Sequence, residues 1–241
     1  MSPRVNVDHL LAALGHAARD AGFAVETMGE VETRPIPAFT RRGGAPDGPR
    51  RRIYLSAGIH GDEPAGPLAL LRLLTQNALP ARHDYTICPL LNPNGLEAAT
   101  RANRDGIDLN RDYTAFRSEE IRAHRNWLDS RIGALDLGLH LHEDWEMGGF
   151  YLYELNFADT PGCARRMLEA AGAAVPVETA AEIDGHPAEG GIIRADRIPE
   201  VPEGKPEAVY LSERCGGLNY TLETPSALPL DDRVDAHRLA I

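Results

Sequence analysis

A histidine and a glutamate three residues apart, His60 and Glu63, follow the short β-prone run RIYLSAGI at 52–59. Imidazole and carboxylate both suit Zn²⁺, and this spacing allows the two side chains to reach one ion. On its own the pair is more often a turn histidine beside a glutamate at a helix N-terminus. Its position favours a metal site, because open α/β sheets bind ligands at the carboxyl ends of their strands.

A catalytic zinc site needs a third protein ligand and an open position for water. His142 is the candidate, because it lies two residues beyond His140 on the same face of a predicted strand, where HEDWE turns the chain outward. We therefore expect His142 to reach the crevice and His140 to lie deeper. Acidic residues in the same turn would attract a cation, although a solvated acidic loop explains them equally well: Glu143, Asp144 and Glu146.

A cluster of arginines lies in RANRDGIDLNRDY at 101–113. Arginine and asparagine side chains are planar donors that can hold a carboxylate through paired hydrogen bonds. The donors here are Arg101, Arg104, Asn110 and Arg111. The alternative is a surface network in which nearby aspartates neutralise the arginines: Asp105, Asp108 and Asp112.

A late glutamate, Glu223 in TLETPS, ends an apolar strand-like run just before Thr-Pro. A carboxylate in that position suits proton transfer if its neighbours partly remove it from water. As an isolated residue it would more often be structural. Cys215 in SERCGG is a second candidate of another class, a cysteine nucleophile, but no histidine partner is indicated.

The elements that would position these residues alternate between strand and helix. In the first part of the chain the patterns predict a helix over 8–21, strand-like alternation over 24–40, and a strand followed by a helix around the His60 motif. Next come a strand at 84–91, a turn at NPNG (92–95), a helix at 118–135 capped by Ser118 and a strand at 135–141. The last predicted elements are a helix from Thr160 and Pro161 to about Ala171, a strand at 218–224 and an amphipathic segment at 231–241. This order predicts one α/β domain over 1–241, with three layers and a mixed, mostly parallel central sheet.

Periodicity fails between 177 and 207, where Gly, Pro and acidic residues dominate. A long loop inside a compact domain is usually a binding loop or lid, and a poorly ordered connector is the alternative. We expect the side chains that line the pocket to come from 177–217.

Composition excludes several classes of protein. The 241 residues carry 25 basic and 36 acidic side chains, a net charge of -11 that disfavours nucleic acid as a partner. No run of 18 apolar residues is present to span a membrane. Three dispersed cysteines and a charged N-terminal segment predict a cytoplasmic protein without disulfides or a signal peptide.

Together these residues resemble the zinc carboxypeptidases of the carboxypeptidase A family. The shared segments are HGDE at 60–63, NPNG at 92–95, R-x-N-x-x-G-I-D-L-N-R at 101–111, LHED around His142 and ETPS from Glu223, in the order of that family and over about residues 50–230. The pattern also overlaps with the related succinylglutamate desuccinylase and aspartoacylase group, which acts on N-acyl amino acids.

The resemblance implies a mixed eight-stranded sheet and one zinc ion held by His60, Glu63 and His142. It also implies that Glu223 is the general base and acid and that Arg101 stabilises the oxyanion. Asn110 and Arg111 would hold the terminal carboxylate of the substrate. One departure concerns the tyrosine that precedes the late glutamate of the family by about twenty residues, because position 201 is a valine here.

The sequence therefore predicts a zinc hydrolase that cleaves an amide bond beside a free carboxylate in a small peptide. Hydrolysis of an N-acyl amino acid is the alternative within the same chemistry. A protein that binds the metal and carboxylate without turnover is the alternative of another class, disfavoured because a pure binder does not need Glu223. The identity of the substrate and the oligomeric state are left open.

Overall fold

The computed structural model describes residues 5–44, 48–158, 160–195, 197–199 and 202–241. Within these ranges the strands are β1 (Ala24–Val31), β2 (Arg34–Arg41), β3 (Arg52–Ala57), β4 (Asp84–Cys88), β5 (Leu137–Asp144), β6 (Tyr151–Leu155), β7 (Glu182–Ile183), β8 (His186–Glu189), β9 (Ile192–Ala195) and β10 (Leu218–Pro225). The helices are α1 (Val7–Asp20), α2 (Ala65–Thr75), α3 (Pro93–Ala98), α4 (Glu119–Arg131), α5 (Ala164–Ala171), α6 (Glu207–Cys215) and α7 (Leu230–Ala240). A short 3₁₀ turn covers Leu109–Arg111.

The strands form one mixed sheet in the order β1-β2-β4-β3-β5-β10-β6-β9-β8-β7. The central strands β4, β3, β5 and β10 run parallel, and antiparallel pairs flank them on both sides. The predicted fold class, an α/β domain with a mixed sheet, is confirmed. The described part of the chain has ten strands where the resemblance implied eight.

Helices cover both faces of the sheet, which makes the fold three-layered. One apolar core joins the strands to α1, α2, α5 and α7, and a second joins the opposite face to α4 and α6. Alternation along β5 sorts its side chains between the two faces. Leu139 and Leu141 lie in the first core, so His140 and His142 point to the other side.

Several element boundaries differ from the sequence-based expectation: β4 ends at Cys88, α4 ends at Arg131, β5 covers Leu137–Asp144, and the largest changes concern α3 and α5. NPNG is not a simple turn, because Asn92 accepts a hydrogen bond from the N–H of Gly95 and caps α3, with Pro93 in the first turn. Helix α5 begins at Ala164 rather than at Pro161. There the N–H of Cys163 donates to the hydroxyl of Tyr220 at 2.9 Å.

The segment 177–207 is not a structureless loop, which corrects the prediction. It contains β7, β8 and β9, and α6 begins at its end. Strand β9 pairs with β6, which the sequence analysis did not predict, and extends the sheet beyond β10.

Among the described residues, no helix is both long enough and apolar enough to cross a membrane.

Candidate active site

The first group of side chains meets where β3 and β5 end. His60 and Glu63 lie in the loop between β3 and α2, and His142 lies near the end of β5. One ligand atom from each of the three residues lies within 4.8 Å of those of the other two, and all three residues are buried. The separations are 2.6 Å for His60 Nδ1 to Glu63 Oε1, 3.0 Å for His142 Nδ1 to Glu63 Oε2, and 3.3 Å between the two Nδ1 atoms.

These atoms fit a small divalent ion. Zinc–nitrogen bonds of about 2.0–2.1 Å at the tetrahedral angle place two ligand nitrogens roughly 3.3–3.4 Å apart, which is the separation of His60 Nδ1 and His142 Nδ1. Glu63 Oε2 is buried and accepts no well-aligned hydrogen bond among the described residues, and its neighbour at 3.0 Å, His142 Nδ1, is itself a candidate metal ligand. An acceptor buried without a donor is costly unless a cation satisfies it. Two imidazoles and one carboxylate form a ligand set that zinc accepts.

Asp108, which the sequence analysis assigned only to a possible surface network, supports this cluster from behind. Its Oδ1 lies 3.2 Å from His60 Nε2, a contact that keeps the proton on Nε2 and leaves Nδ1 for a metal. Its Oδ2 accepts a hydrogen bond from Arg101 Nε at 3.1 Å. Burial disfavours the charged carboxylate, but His60 and Arg101 outweigh that effect and lower the pKa of Asp108.

The electrostatics of the cluster favour a protonated His60 beside an ionised Glu63. Burial disfavours the imidazolium form of His60, but the Glu63 carboxylate and Asp108 outweigh burial and raise the pKa of His60 to about 9. Burial also opposes ionisation of Glu63, and the two histidines nevertheless lower its pKa to about 2. Burial lowers the pKa of His142, so that this imidazole stays neutral.

Glu223 lies beside the cluster on β10. The parallel register aligns Glu223 with His142, and the antiparallel register on the other side aligns it with Tyr151 of β6. Burial, together with the negative charges of Glu63 and Asp144, raises the pKa of Glu223 well above its ordinary value. The three residues therefore form one row across β5, β10 and β6.

Asn110 and Arg111 lie on the 3₁₀ turn and line the same pocket as the cluster of His60, Glu63 and His142. Arg111 Nη1 donates to the carbonyl of Asn110 at 3.0 Å. Among the described residues no carboxylate pairs with Arg111 within 4.0 Å, and Asp108 acts on it only through its charge. Arg101, by contrast, contacts Asp108 and has Nη1 3.7 Å from Glu63 Oε1. Arg111 is therefore the arginine available to an incoming anion, while Arg101 lies directly beside the cluster of His60, Glu63 and His142.

All of these residues line one pocket of about 1020 Å³: His60, Glu63, Arg101, Asn110, Arg111, His142 and Glu223. The predicted contribution of the 177–217 segment is also present. It supplies Asp184, His186 and Arg194 from the β7–β9 region and Ala208 from α6. Trp145 lines the pocket as well and is 78% exposed, so it lies at the mouth.

The loop that carries His60 and Glu63 is packed against helix α3. Gly61 lies so close to α3 that a Cβ atom there would come within 1.9 Å of the Gly95 carbonyl carbon. The N–H of Gly61 also lies 3.4 Å from the carbonyl oxygen of Arg101, to which it donates. The HGDE and NPNG segments, and the start of the arginine cluster, therefore form one packed unit.

Other polar residues that the sequence singled out have structural contacts. Glu143 is buried, pairs with Arg233 of α7 and accepts the first N–H of α2 from Ala65 at 2.6 Å. Asp144 accepts the N–H of Glu146 at 2.9 Å and the hydroxyl of Tyr151 at 3.1 Å. Neither a cation-attracting cluster nor a solvated loop describes these two carboxylates.

Two further residues lie outside the cluster. Arg104 pairs with Glu32 and does not line the pocket. Cys215 is buried at the end of α6, and burial raises the pKa of its thiol, so it lacks the thiolate character of a nucleophile.

The sequence analysis missed Glu207. Its carboxylate, 1% exposed, forms a buried hydrogen-bonded network with Tyr54, Ser56 and His140. Burial alone would raise the pKa of Glu207, but His140 and Tyr54 outweigh it and lower the pKa to about 2. No local signal marked this residue, because its partners lie far away in the sequence.

Comparison with known proteins gives a consistent result. Residues 49–185 match the family model of the succinylglutamate desuccinylase/aspartoacylase catalytic domain. Murein peptide amidase A of Escherichia coli K12 is 36% identical over 96 residues, which are 39% of this chain and 34% of that protein. The matched segment thus spans about a third of that curated relative.

Solved structures extend the similarity to almost the whole chain. A proposed metallopeptidase from Shewanella denitrificans OS217 has a TM-score of 0.81 and 27% identity, over 98% of this chain and 87% of its own. A metallo-carboxypeptidase from Burkholderia cenocepacia, at 22% identity and a TM-score of 0.68 over 99% of this chain and 68% of its own, shares the fold. The family model covers more than half of the chain, and so this protein belongs to the succinylglutamate desuccinylase/aspartoacylase catalytic-domain family, a group with the zinc-carboxypeptidase-like fold.

Proposed function

We propose that this protein is a zinc-dependent hydrolase that cleaves an amide bond beside a free carboxylate in a small peptide, and that residues 1–241 act as one catalytic domain. The observation that carries the proposal is the convergence of His60, Glu63 and His142 within 4.8 Å, in a pocket that also contains Glu223 and Arg111. Metallopeptidases and an amidase among the similar proteins support the same reaction class.

His60, Glu63 and His142 would hold the ion. When bound, zinc supplies Lewis-acid chemistry, which polarises a carbonyl oxygen and makes water more acidic. Glu223 takes a proton from the water that attacks the amide carbon, and it then delivers that proton to the leaving nitrogen. Burial and the negative charges of Glu63 and Asp144 raise the pKa of Glu223, which favours the protonated form that gives a proton to the leaving nitrogen. A cation bound beside it would lower that pKa and favour the carboxylate that accepts a proton from water.

The arginines have separate roles. Arg101, 3.7 Å from Glu63, donates to the oxygen on which negative charge develops as the amide carbon is attacked. Arg111 and Asn110 bind the free carboxylate of the substrate, because a guanidinium without a carboxylate partner and a neighbouring amide offer planar donors to it. The substrate is thus held at one end while its amide bond lies over the metal cluster.

Deacylation of an N-acyl amino acid is the second candidate, and the match to the desuccinylase and aspartoacylase model favours it. Both substrates carry an amide and a carboxylate, so the same residues serve either reaction. They differ in whether the group beyond the amide is a peptide or a small acyl chain.

A substrate screen with metal-loaded protein tests the proposal. Release of amino acids from the C-terminus of small peptides is expected, with about one zinc ion per chain, and a chelator should abolish the activity. Hydrolysis of N-acyl amino acids alone would establish the second candidate instead. Stoichiometric zinc and ligand binding without turnover of either class would identify a binding protein and overturn the proposal.

A further inference from the structure

The carboxylate of Glu207 is buried in a position that demands an explanation. Its Oε1 accepts a hydrogen bond from the Tyr54 hydroxyl at 2.5 Å, and its Oε2 accepts one from the Ser56 hydroxyl at 2.7 Å. Among the described residues, its ion-pair partners within 4 Å are both histidines, His140 and His124. A carboxylate buried without lysine or arginine costs free energy that these contacts must offset.

The backbone of the same residue contacts the substrate pocket. Glu207 begins α6, and its N–H donates to Asn110 Oδ1 at 2.9 Å. The residue before it, Pro206, offers no side-chain cap, so Asn110 supplies the acceptor that this helix end needs. The side chain of Glu207 therefore lies in the core, while its backbone N–H donates a hydrogen bond to the pocket residue Asn110.

This hydrogen bond fixes the orientation of the Asn110 side chain. An amide whose Oδ1 is already an acceptor for Glu207 must present Nδ2 elsewhere. Among the described residues the Asn110 side chain makes one hydrogen bond, through Oδ1, and Asn110 lines the pocket. The two N–H groups of Nδ2 are thus available to a hydrogen-bond acceptor in the pocket. A carboxylate is such an acceptor.

The other contacts of Glu207 lead to the metal cluster. Tyr54 and Ser56 lie on β3, whose end carries the His60 loop, and His140 lies on β5 two residues before His142. His140 Nδ1 is 3.1 Å from Glu207 Oε2. The Glu207 side chain therefore connects β3 and β5, which position the proposed metal ligands, with the N-terminus of α6, which orients Asn110.

We propose that Glu207 is a positioning residue that sets the donor face and the place of Asn110 relative to the metal cluster. The inference rests on the proposed function, because it takes Asn110 as a contact of the substrate carboxylate. Without the Glu207 carboxylate, the N-terminus of α6 loses its anchor to β3 and β5. The Asn110 amide then loses its fixed orientation, and the substrate carboxylate is held by Arg111 alone.

A double-mutant cycle tests whether Glu207 acts through Asn110. We expect Glu207→Ala and Asn110→Ala each to raise KM about tenfold for a substrate with a free carboxylate, the effect of losing one hydrogen bond to a charged group. The value of kcat should stay within about twofold of that of the native protein, and the double variant should be no worse than the more impaired single variant. Effects of the two substitutions that multiply would overturn the proposal, as would an unchanged KM in Glu207→Ala.

A second readout does not depend on turnover. The Nδ2H₂ signals of Asn110 in an NMR spectrum of amide groups can be assigned by their loss in Asn110→Asp. They are expected to shift in Glu207→Ala and in the milder variant Ser56→Ala, which removes one donor to Glu207 and serves if Glu207→Ala fails to fold. Signals that stay in place in both variants would contradict a positioning role.

Glu120→Ala is the matched control. Glu120 is also a buried glutamate, 3% exposed, and accepts a hydrogen bond from Asn103 Nδ2 at 3.0 Å, but it does not line the pocket. Its removal should leave KM and the Asn110 signals unchanged. If the Asn110→Ala variant itself has native KM, the proposed carboxylate contact fails; if only the Glu207 variants have native KM, the positioning role alone fails.

Discussion

Glu223 is the register partner of His142 on adjacent parallel strands. Residues paired in this way project from the same face of a sheet, so the carboxylate and the imidazole lie side by side without any loop between them. Tyr151 continues the row on β6. The position of the proposed proton-transfer group relative to the His60, Glu63 and His142 cluster is therefore set by the backbone hydrogen bonds of the central sheet.

Glu223→Gln should remove turnover and preserve metal binding. The amide keeps the shape of the side chain but cannot accept a proton, and loss of such a group costs about 10²–10⁴-fold in rate. The measurements are kcat and zinc content of the same preparation. Glu146→Gln, which also alters a glutamate of the pocket wall, is the control with expected native kcat. Loss of zinc in Glu223→Gln would assign the residue to metal binding instead.

His142→Ala should abolish zinc binding, whereas His140→Ala should retain it. The two histidines lie on the same face of β5, but only His142 is within ligand distance of Glu63, while His140 contacts Ser56 and Glu207. Removing His140 leaves buried polar groups without a partner, so we expect a loss of stability of about 1–3 kcal/mol. Zinc content and thermal unfolding separate the two effects. Equal loss of zinc in both variants would contradict this assignment.

Substitutions of Arg111 and of Arg101 should change different kinetic parameters. Arg111→Ala removes a carboxylate contact and is expected to raise KM with little change in kcat. Arg101→Ala removes a donor to developing charge and should lower kcat by about 10²–10³-fold. Arg104→Ala, whose side chain pairs with Glu32 outside the pocket, is the control. A raised KM in Arg101→Ala with native kcat would reverse the two roles.

The stability of the metal-free protein should depend on pH through the cluster. The folded pKa of His60, about 9, is above its ordinary value of 6.5, so its stabilising contribution is complete below pH 6.5 and is lost as the pH rises through 9. The folded pKa of Glu63, about 2, is below its ordinary value of 4.5, so its contribution is present above pH 4.5 and is lost as the pH falls towards 2.

Thermal unfolding of chelator-treated protein across pH 3–10 checks this expectation. Zinc should oppose the alkaline loss, because it replaces the proton on His60 and its affinity rises as that proton leaves. His60→Gln should remove the alkaline dependence in the metal-free protein. If the unfolding temperature of the metal-free protein with native sequence did not change between pH 7 and 10, the raised pKa of His60 would be contradicted.

The central strands and the site residues could be predicted from the sequence for one physical reason. Strands β3, β5 and β10 are mostly buried and apolar, and the candidate site residues His60, His142 and Glu223 lie at or just beyond their ends. Because parallel strands end at one edge of the sheet, residues from distant motifs such as His60 and His142 converge there. The local pattern indicated four candidate donors for a carboxylate, and the family resemblance singled out Asn110 and Arg111 among them for that role.

The remainder depends on tertiary contacts that a local pattern does not encode. Strands β7, β8 and β9 have two to four residues each, and they form because β9 pairs with β6. Glu207 and Tyr54 are 153 residues apart in the chain, so only the folded structure reveals their contact. The NPNG segment is different, since an asparagine cap before proline was a readable helix start that was interpreted as a turn.

Because Gly61 lies so close to Gly95, the proposed metal site should be sensitive to substitution at Gly61, a residue that is not itself a proposed ligand. Adding one methyl group at residue 61 forces two backbones apart, and the displaced backbone carries His60 on one side and Glu63 two residues along. Gly61→Ala is therefore expected to weaken the proposed zinc site, although every proposed ligand side chain is intact.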